Sequence, residues 1–198
     1  GTAQLGDMNF QDLNGDGAID DEDRDYMGSP IPSFEFGINY GATYKNFDFN
    51  LFIQGVQGNE IWNAKKFQHI LDGAGGGKIR EVQNAWTPTN TNTDIPRMTI
   101  RDANGNKRSS DFFVEDGSYI RFKTIQIGYT LPKSIVEKAS MSNVRIYLSA
   151  QNLFTLTSYS GYDPEIGRSL DGGLFGGGVD RRAYPQAKNL ILGVQVSF

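Results

Sequence analysis

The absence of cysteine and the scarcity of histidine narrow the kinds of protein that the sequence can encode. It contains no cysteine, which excludes disulfide bonds and thiolate chemistry. It contains one histidine, His69, in a predicted loop with no motif around it, so a histidine metal cluster or a Ser-His-Asp triad is not expected. Asp163 and Glu165 lie close together, but no motif of a glycan hydrolase accompanies them. We therefore predict no catalytic residues and no enzyme activity.

Long apolar runs and clusters of positive charge are missing as well. No stretch approaches the roughly 18 apolar residues that a membrane-spanning helix needs. The formal net charge is -4, and lysine and arginine are not clustered, so we expect no binding to nucleic acid. A hydrophobic content of 38% is compatible with a membrane barrel, because barrel strands alternate apolar and polar residues. The periodicity of the sequence must therefore decide the class.

Alternation with a period of two is the main pattern that is present. Residues 1–33 are predicted to form an acidic loop. In Phe34–Tyr44, which follows, the even positions hold apolar or aromatic residues, including Ala42, and the odd positions hold Glu, Gly, Asn or Thr. This pattern is typical of a β-strand with two different faces. It recurs along the chain and predicts an all-β fold with about five antiparallel strands, at residues 34–44, 47–56, 118–130, 144–156 and 188–198.

The predicted connections between these strands alternate in length. Lys45-Asn46 forms a short turn, and Lys133–Ala139 lies in a fairly short connection for which we predict a short helix. Residues 57–117 and 157–187 are predicted to be long irregular loops. Short turns at one end and long extracellular loops at the other are typical of transmembrane β-barrels. A last strand that follows a long loop would run inward and leave Phe198 at the periplasmic rim.

Two questions stay open at this level. A soluble β-sandwich shows the same alternation, because one face of each sheet meets a core. In addition, the apolar phase of the predicted strand 118–130 shifts after Phe122. Either a β-bulge or a strand that rises above the membrane, with Arg121 and Lys123 in water, explains this shift.

One acidic stretch matches the ligand spacing of an EF-hand calcium loop. The candidate ligands are Asp12, Asn14, Asp16, the carbonyl of Ala18, Asp20 and Asp23. Gly17 stands where such a loop turns sharply, but the last position is Asp instead of Glu and the flanks lack helices. Calcium is therefore a candidate cofactor. The alternative is a solvated turn in which Asp and Asn side chains bond to their own backbone.

Several short segments, in order along the chain, resemble the C-terminal part of the SusC/RagA-type TonB-linked outer-membrane proteins. These segments are Asp12–Asp23 with Gly28–Pro32, Tyr119–Lys123 with Ile127–Pro132, Ser149–Phe154 with Tyr159–Glu165, and the terminal Phe198. The family imports glycans or peptides together with a surface lipoprotein of the SusD type. The resemblance implies a large plugged barrel, of which this chain supplies about the last five strands.

The resemblance also implies partners and a location. The chain would lie in the outer membrane in contact with lipid, with the calcium-like loop and both long loops outside the cell, where a SusD-like lipoprotein docks. TonB would be contacted by an N-terminal part that this chain does not contain, and the last strand would be recognised by the barrel-assembly machinery. The alternative function is a secreted calcium-binding β module for adhesion or scaffold docking.

Overall fold

The structure is a computed structural model that describes residues 3–70, 79–100, 102–166, 177–181 and 183–198. Within these ranges it contains nine strands and two α-helices, neither of which is long and apolar enough to cross a membrane. The elements are β1 (Phe34–Tyr44), β2 (Phe47–Gln57), β3 (Glu60–Asn63), α1 (Ala64–Ile70), β4 (Val114–Asp116), β5 (Tyr119–Thr130), α2 (Lys133–Val136), β6 (Asn143–Gln151), β7 (Thr155–Thr157), β8 (Val179–Asp180) and β9 (Asn189–Ser197). Parts of both predicted long loops, residues 71–78 and 167–176, lie outside the described residues.

The chain divides into two compact units. The sheet unit consists of Pro30–Glu60, Asp116–Gly167 and Ala183–Phe198. The loop unit consists of Gly1–Ser29, Ile61–Glu115 and Arg168–Arg182. The sequence predicts residues 1–33 and 57–117 as two separate loops, whereas the structure places most of both in the loop unit.

The sheet unit contains one antiparallel sheet. Its strand order is β1-β2-β5-β6-β9, and β7 pairs with β5 as a sixth strand. β1 and β2 form a hairpin in which Tyr44 pairs with Phe47 across the Lys45-Asn46 turn, as the sequence predicts. The predicted short helix at Lys133–Ala139 is also present, as α2 followed by a 3-10 turn over Glu137–Ala139.

Pairing in register collects most of the apolar residues of the five long strands on one face of this sheet. Ile38 pairs with Ile53, and Ile127 pairs with Leu148, which pairs in turn with Leu192. Large side chains that remain exposed on this face include Phe34, Ile38, Tyr40, Tyr44, Phe47, Ile120, Ile127, Ile146, Leu148, Leu190, Leu192, Val194 and Val196. A β-sandwich would bury such a face against a second sheet, so the exposed face favours the membrane barrel over the sandwich.

β5 contains a bulge in the middle of the sheet. Phe52 pairs with Thr124 and Ile53 pairs with Phe122, so Lys123 is the extra residue. The bulge that the shift in apolar phase predicts is therefore confirmed. The alternative expectation that the Arg121 side chain lies in water is wrong, because this residue is only 2% exposed. A strand that rises above the membrane stays a prediction.

The strand predicted over residues 144–156 is interrupted. β6 ends at Gln151, and Asn152 adopts a positive φ of 52°, a conformation that asparagine tolerates better than most residues. The chain turns there, and Thr155–Thr157 pairs with β5 as β7. The alternation of apolar residues does not show this break, because one residue in a left-handed conformation leaves no periodic signal.

The loop unit has a hydrophobic core of its own. Phe113 is fully buried and Ile70 is 1% exposed, and partly buried side chains pack around them: Met8, Trp62, Phe67, Ile79, Val82, Ile95 and Phe112. The predicted irregular loop 57–117 therefore contains β3, α1, β4 and most of a core. Its apolar residues are widely spaced and do not repeat with a strand or helix period, so pattern alone does not reveal them.

An ion pair crosses three strands on the polar face of the sheet. Arg145 of β6 donates to both carboxylate oxygens of Asp48 in β2, at 2.9 and 2.5 Å. The two side chains meet above Gly128 of β5, where a Cβ atom would lie 2.4 Å from Asp48 Oδ1 and 2.5 Å from an Arg145 nitrogen. Glycine at this position therefore leaves room for a contact that ties β2 to β6.

We predict that Gly128→Ala separates this ion pair and lowers the free energy of unfolding by about 1–3 kcal/mol, the usual cost of overpacking. The measurement is urea-induced unfolding of the purified protein. Gly41→Ala is the matched control on the same face, because a Cβ atom there would meet Asn50 Oδ1 at an ordinary 3.5 Å.

The cost of Gly128→Ala comes from the ion pair, so it should shrink when Arg145→Met is already present. If Gly128→Ala lowers the free energy of unfolding equally in the wild type and in Arg145→Met, the glycine is not needed to make room for the ion pair.

Candidate functional site

The predicted calcium ligands lie in a turn-rich segment of the loop unit. The two carboxylate oxygens of Asp12 accept hydrogen bonds from the backbone N–H groups of Gly15 at 2.7 Å and Gly17 at 2.8 Å. Asp16 accepts in the same way from the N–H of Ala18 at 2.8 Å. These are the local side chain to backbone bonds by which aspartate stabilises tight turns.

Asp23 closes this segment from its other end. Its oxygens accept from the backbone N–H groups of Leu13 and Asp20, both at 2.8 Å. The pKa of Asp23 is lowered, first by the hydrogen bond from Asp20 and then by the one from Leu13, because both bonds favour the charged carboxylate. Asp23 therefore joins the two ends of the acidic stretch through backbone hydrogen bonds.

The described residues contain no group of three or more His, Cys, Asp or Glu side chains arranged to hold a metal ion. Asn14 and Asp20 likewise bond within the loop, to the N–H groups of Asp16 and Glu22. These hydrogen bonds describe the turns of the loop and do not test its affinity for calcium, so calcium binding stays a prediction. Arg108, which the sequence does not single out, donates to the carbonyl of Ile19 at 3.2 Å.

A buried polar network connects two distant parts of the loop unit. Arg97 donates to both oxygens of Asp7, at 2.6 and 3.1 Å, and Asn106 donates to the same carboxylate at 3.0 Å. The pKa of Asp7 is lowered, mainly by the hydrogen bond from Arg97, which together with the other bonds outweighs the opposing effect of burial. The contact therefore stabilises the fold above the ordinary carboxyl pKa of 3.8, and this contribution is lost as pH falls through the lower folded value.

A second buried ionic cluster lies in the sheet unit. Arg121 of β5 donates to Asp163 at 2.5 Å, to Glu165 at 2.6 Å and to the hydroxyl of Thr155 at 2.9 Å. Lys123 donates to both oxygens of Glu165, at 3.0 and 2.7 Å. The two carboxylates that are neighbours in sequence are thus neutralised by cations of β5. In this arrangement Asp163 and Glu165 are ion-pair partners of Arg121 and do not face an open cleft as a pair of acids.

The polar face of the sheet also carries a shallow hollow of about 350 Å³. It is lined by Asn39, Tyr40, Gly41, Asn50, Leu51, Phe52 and Thr124. Amide and hydroxyl groups dominate the part of this lining that belongs to the polar face. Such groups can donate and accept hydrogen bonds and carry no net charge.

Comparison with known proteins shows strong similarity to one group. No family model matches the chain. Two TonB-dependent receptors of Formosa agariphila are 40% identical over 192 residues and 36% identical over 197 residues, which covers 96% and 98% of this chain. The TonB-dependent receptor SusC of Bacteroides thetaiotaomicron is 25% identical over 193 residues, covering 96% of this chain and 17% of SusC.

Solved structures give the same result. The RagAB peptide importer in its open-open state matches 86% of this chain and 18% of its own chain, with 30% identity and a TM-score of 0.66. A structure of the RagAB peptide transporter matches over the same shares, with 29% identity and a TM-score of 0.67. The similarity therefore extends from sequence to fold.

The antiparallel sheet, with an apolar and a polar face, and its likeness to these transporters define the chain as a portion of a transmembrane β-barrel. It belongs to the SusC/RagA family of TonB-dependent receptors, as the sequence motifs indicate. The chain spans about a fifth of the length of the Formosa agariphila receptors that it matches, 19% and 20%.

We predict that calcium titrated into the purified receptor binds the acidic loop with a dissociation constant at or below about 1 mM, the range of extracellular calcium modules. The double variant Asp12→Asn, Asp16→Asn should lose this binding. Asp21→Asn is the matched control, because Asp21 lies in the same loop at a position that supplies no ligand. Isothermal titration calorimetry measures the difference, and no binding at millimolar calcium would leave the loop as a turn only.

Proposed function

We propose that the chain forms part of the wall of an outer-membrane barrel that imports peptides or glycans together with a SusD-like surface lipoprotein. The observation that carries the proposal is the division of one sheet into an exposed apolar face and a polar face. The relatives support it, since they are TonB-dependent receptors. Of the similar proteins named above, none is a secreted calcium-binding module.

The apolar face suits contact with lipid. Leu190 and Leu192 are 73% and 74% exposed, and Val194 is 62% exposed. Removing a leucine or valine side chain from water stabilises a protein by roughly 1.5–3 kcal/mol, so a face of this kind strongly favours an apolar surrounding. Soluble monomers rarely expose apolar patches of such extent. We infer that this face contacts the hydrocarbon of the outer membrane.

The polar face suits the interior of the barrel. Charged groups at membrane depth almost always pair and point toward a bundle or barrel interior, and Asp48 and Arg145 pair on this side of the sheet. The hollow of about 350 Å³ lies on the same side. A cargo that crosses the barrel would therefore meet amide and hydroxyl groups with fixed, mutually neutralised charges nearby.

The lengths of the connections support an orientation. The two short connections, residues 45–46 and 131–142, join strands at one end of the sheet, and the long connections join them at the other. Short turns face the periplasm in bacterial barrels. We infer that Phe198 is periplasmic and that the loop unit is extracellular, where it would contact the SusD-like lipoprotein.

The remaining partners follow from the same assignment. TonB would be contacted through the N-terminal part of the whole receptor, and the barrel-assembly machinery would bind β9. The similar solved structures are those of a peptide importer and transporter, which favours peptides as cargo.

We predict that Leu192→Arg destabilises the inserted barrel by about 2–4 kcal/mol, because it places a charge in lipid near the middle of β9. Ile191→Arg is the matched control at the same depth, because Ile191 belongs to the opposite face and pairs with Ser149. The measurements are the amount of receptor in the outer-membrane fraction and its resistance to unfolding by urea. Equal insertion of both variants would contradict the assignment of faces.

Transport itself is tested by uptake. Cells that lack the receptor should lose uptake of labelled oligopeptides or oligosaccharides, and the wild-type gene should restore it. The Ile191→Arg gene should restore uptake and the Leu192→Arg gene should not. If cells without the receptor take up both classes normally, the proposed import function is wrong.

A further inference from the structure

The backbone ladder of the sheet is incomplete at the end where the long connections lie. β6 ends at Gln151, which pairs with Asn189, the first residue of β9. Beyond this level β7 takes the place next to β5, with Thr155 opposite Arg121. Residues 183–188, which lead into β9, belong to no strand. Something other than a ladder must hold this lead-in to the sheet unit.

Asp163 makes the contacts that hold it. One carboxylate oxygen accepts from Arg121 at 2.5 Å and from the backbone N–H of Glu165 at 2.9 Å. The other oxygen accepts from the backbone N–H of Gln186 at 2.8 Å. A single side chain therefore joins β5, the segment after β7 and the lead-in to β9. Asn152 adds one bond, from its side-chain amide to the carbonyl of Ala187 at 3.0 Å.

Burial makes the central contact of this arrangement strong. The side chains of Arg121 and Asp163 are 2% and 5% exposed, so neither charge has water as an alternative partner. Removing one member of a buried pair leaves the other charge uncompensated, which is far more costly than losing a surface pair. Burial also tends to raise the pKa of Asp163, but the bonds from Gln186, Arg121 and Glu165 outweigh this and lower it.

We propose that Arg121 and Asp163 form an ionic clasp, a pair of positioning residues that fixes the lead-in to β9 against β5 where β6 has left the sheet. The clasp sets where the last strand enters the sheet, and it acts through the Gln186 backbone. This goes beyond the proposed import function, because it concerns how the last strand is held and not what the barrel carries.

Hydrogen–deuterium exchange of the whole receptor in lipid nanodiscs tests the clasp. In Arg121→Gln, Asp163 loses its buried charge partner and is no longer held in place. The Gln186 amide, which bonds to Asp163, should therefore exchange at least about tenfold faster. The amides of residues 190–196, which belong to the β6–β9 ladder, should exchange as in the wild type. Arg24→Gln is the matched control, because Arg24 pairs with Asp21 on the surface, where both side chains are more than three-quarters exposed; it should leave Gln186 unchanged.

A second variant keeps the test valid if Arg121→Gln does not reach the membrane. Glu165→Gln removes one charge partner of Arg121 and leaves Asp163 in place, so exchange at Gln186 should rise by a smaller factor, about two to five. Unchanged exchange at Gln186 in a folded variant would overturn the clasp. A uniform rise across residues 183–196 would overturn it too, because it would mean general destabilisation. The amount of receptor in the outer-membrane fraction is measured first. A failure of the proposed membrane location is therefore distinguished from a failure of the clasp.

Discussion

The sheet unit depends on one constraint: in lipid, every backbone N–H and C=O group must be bonded within the protein. Antiparallel strands meet this constraint only if they pair continuously, and continuous pairing in register forces residues of equal parity onto the same face. The exposed apolar face and the polar face are therefore one consequence of the ladder. The bulge at Lys123 preserves the rule, because it restores the phase of β5 after one extra residue.

Local patterns predict the parts of the sheet that depend on the ladder alone. β1 and β2 were predictable almost to the residue, because alternation and a two-residue turn suffice to define a hairpin. The end of β6 was not, because a single positive φ at Asn152 decides it. The ionic cluster was not predictable from pattern either, since Arg121 and Asp163 are 42 positions apart. Only a structure, or many related sequences, brings such residues together.

Pattern-based prediction is limited in the loop unit as well. The spacing of its acidic residues matches that of calcium ligands. In the structure the same carboxylates accept hydrogen bonds from nearby N–H groups. Spacing alone predicts ligands and turn-forming residues equally well, because both require Asp and Asn at these positions. Its core was missed because the aromatic residues around Phe113 follow no period. The contact between Asp7 and Arg97 spans 90 positions, which explains why residues 1–33 and 57–117 looked like unrelated loops.

The composition of the loop unit has a consequence for how such receptors diversify. Three separate stretches of chain build it, and two of them, at Trp62-Asn63 and Val179-Asp180, pair directly as parallel strands. Recombination that exchanged only one of the three stretches between two relatives would combine it with two stretches from a different receptor, to which it is not matched. Inherited variation in this region should therefore be concerted, with substitutions in one stretch accompanied by changes in the other two, and chimeric receptors should work best when all three are transferred together.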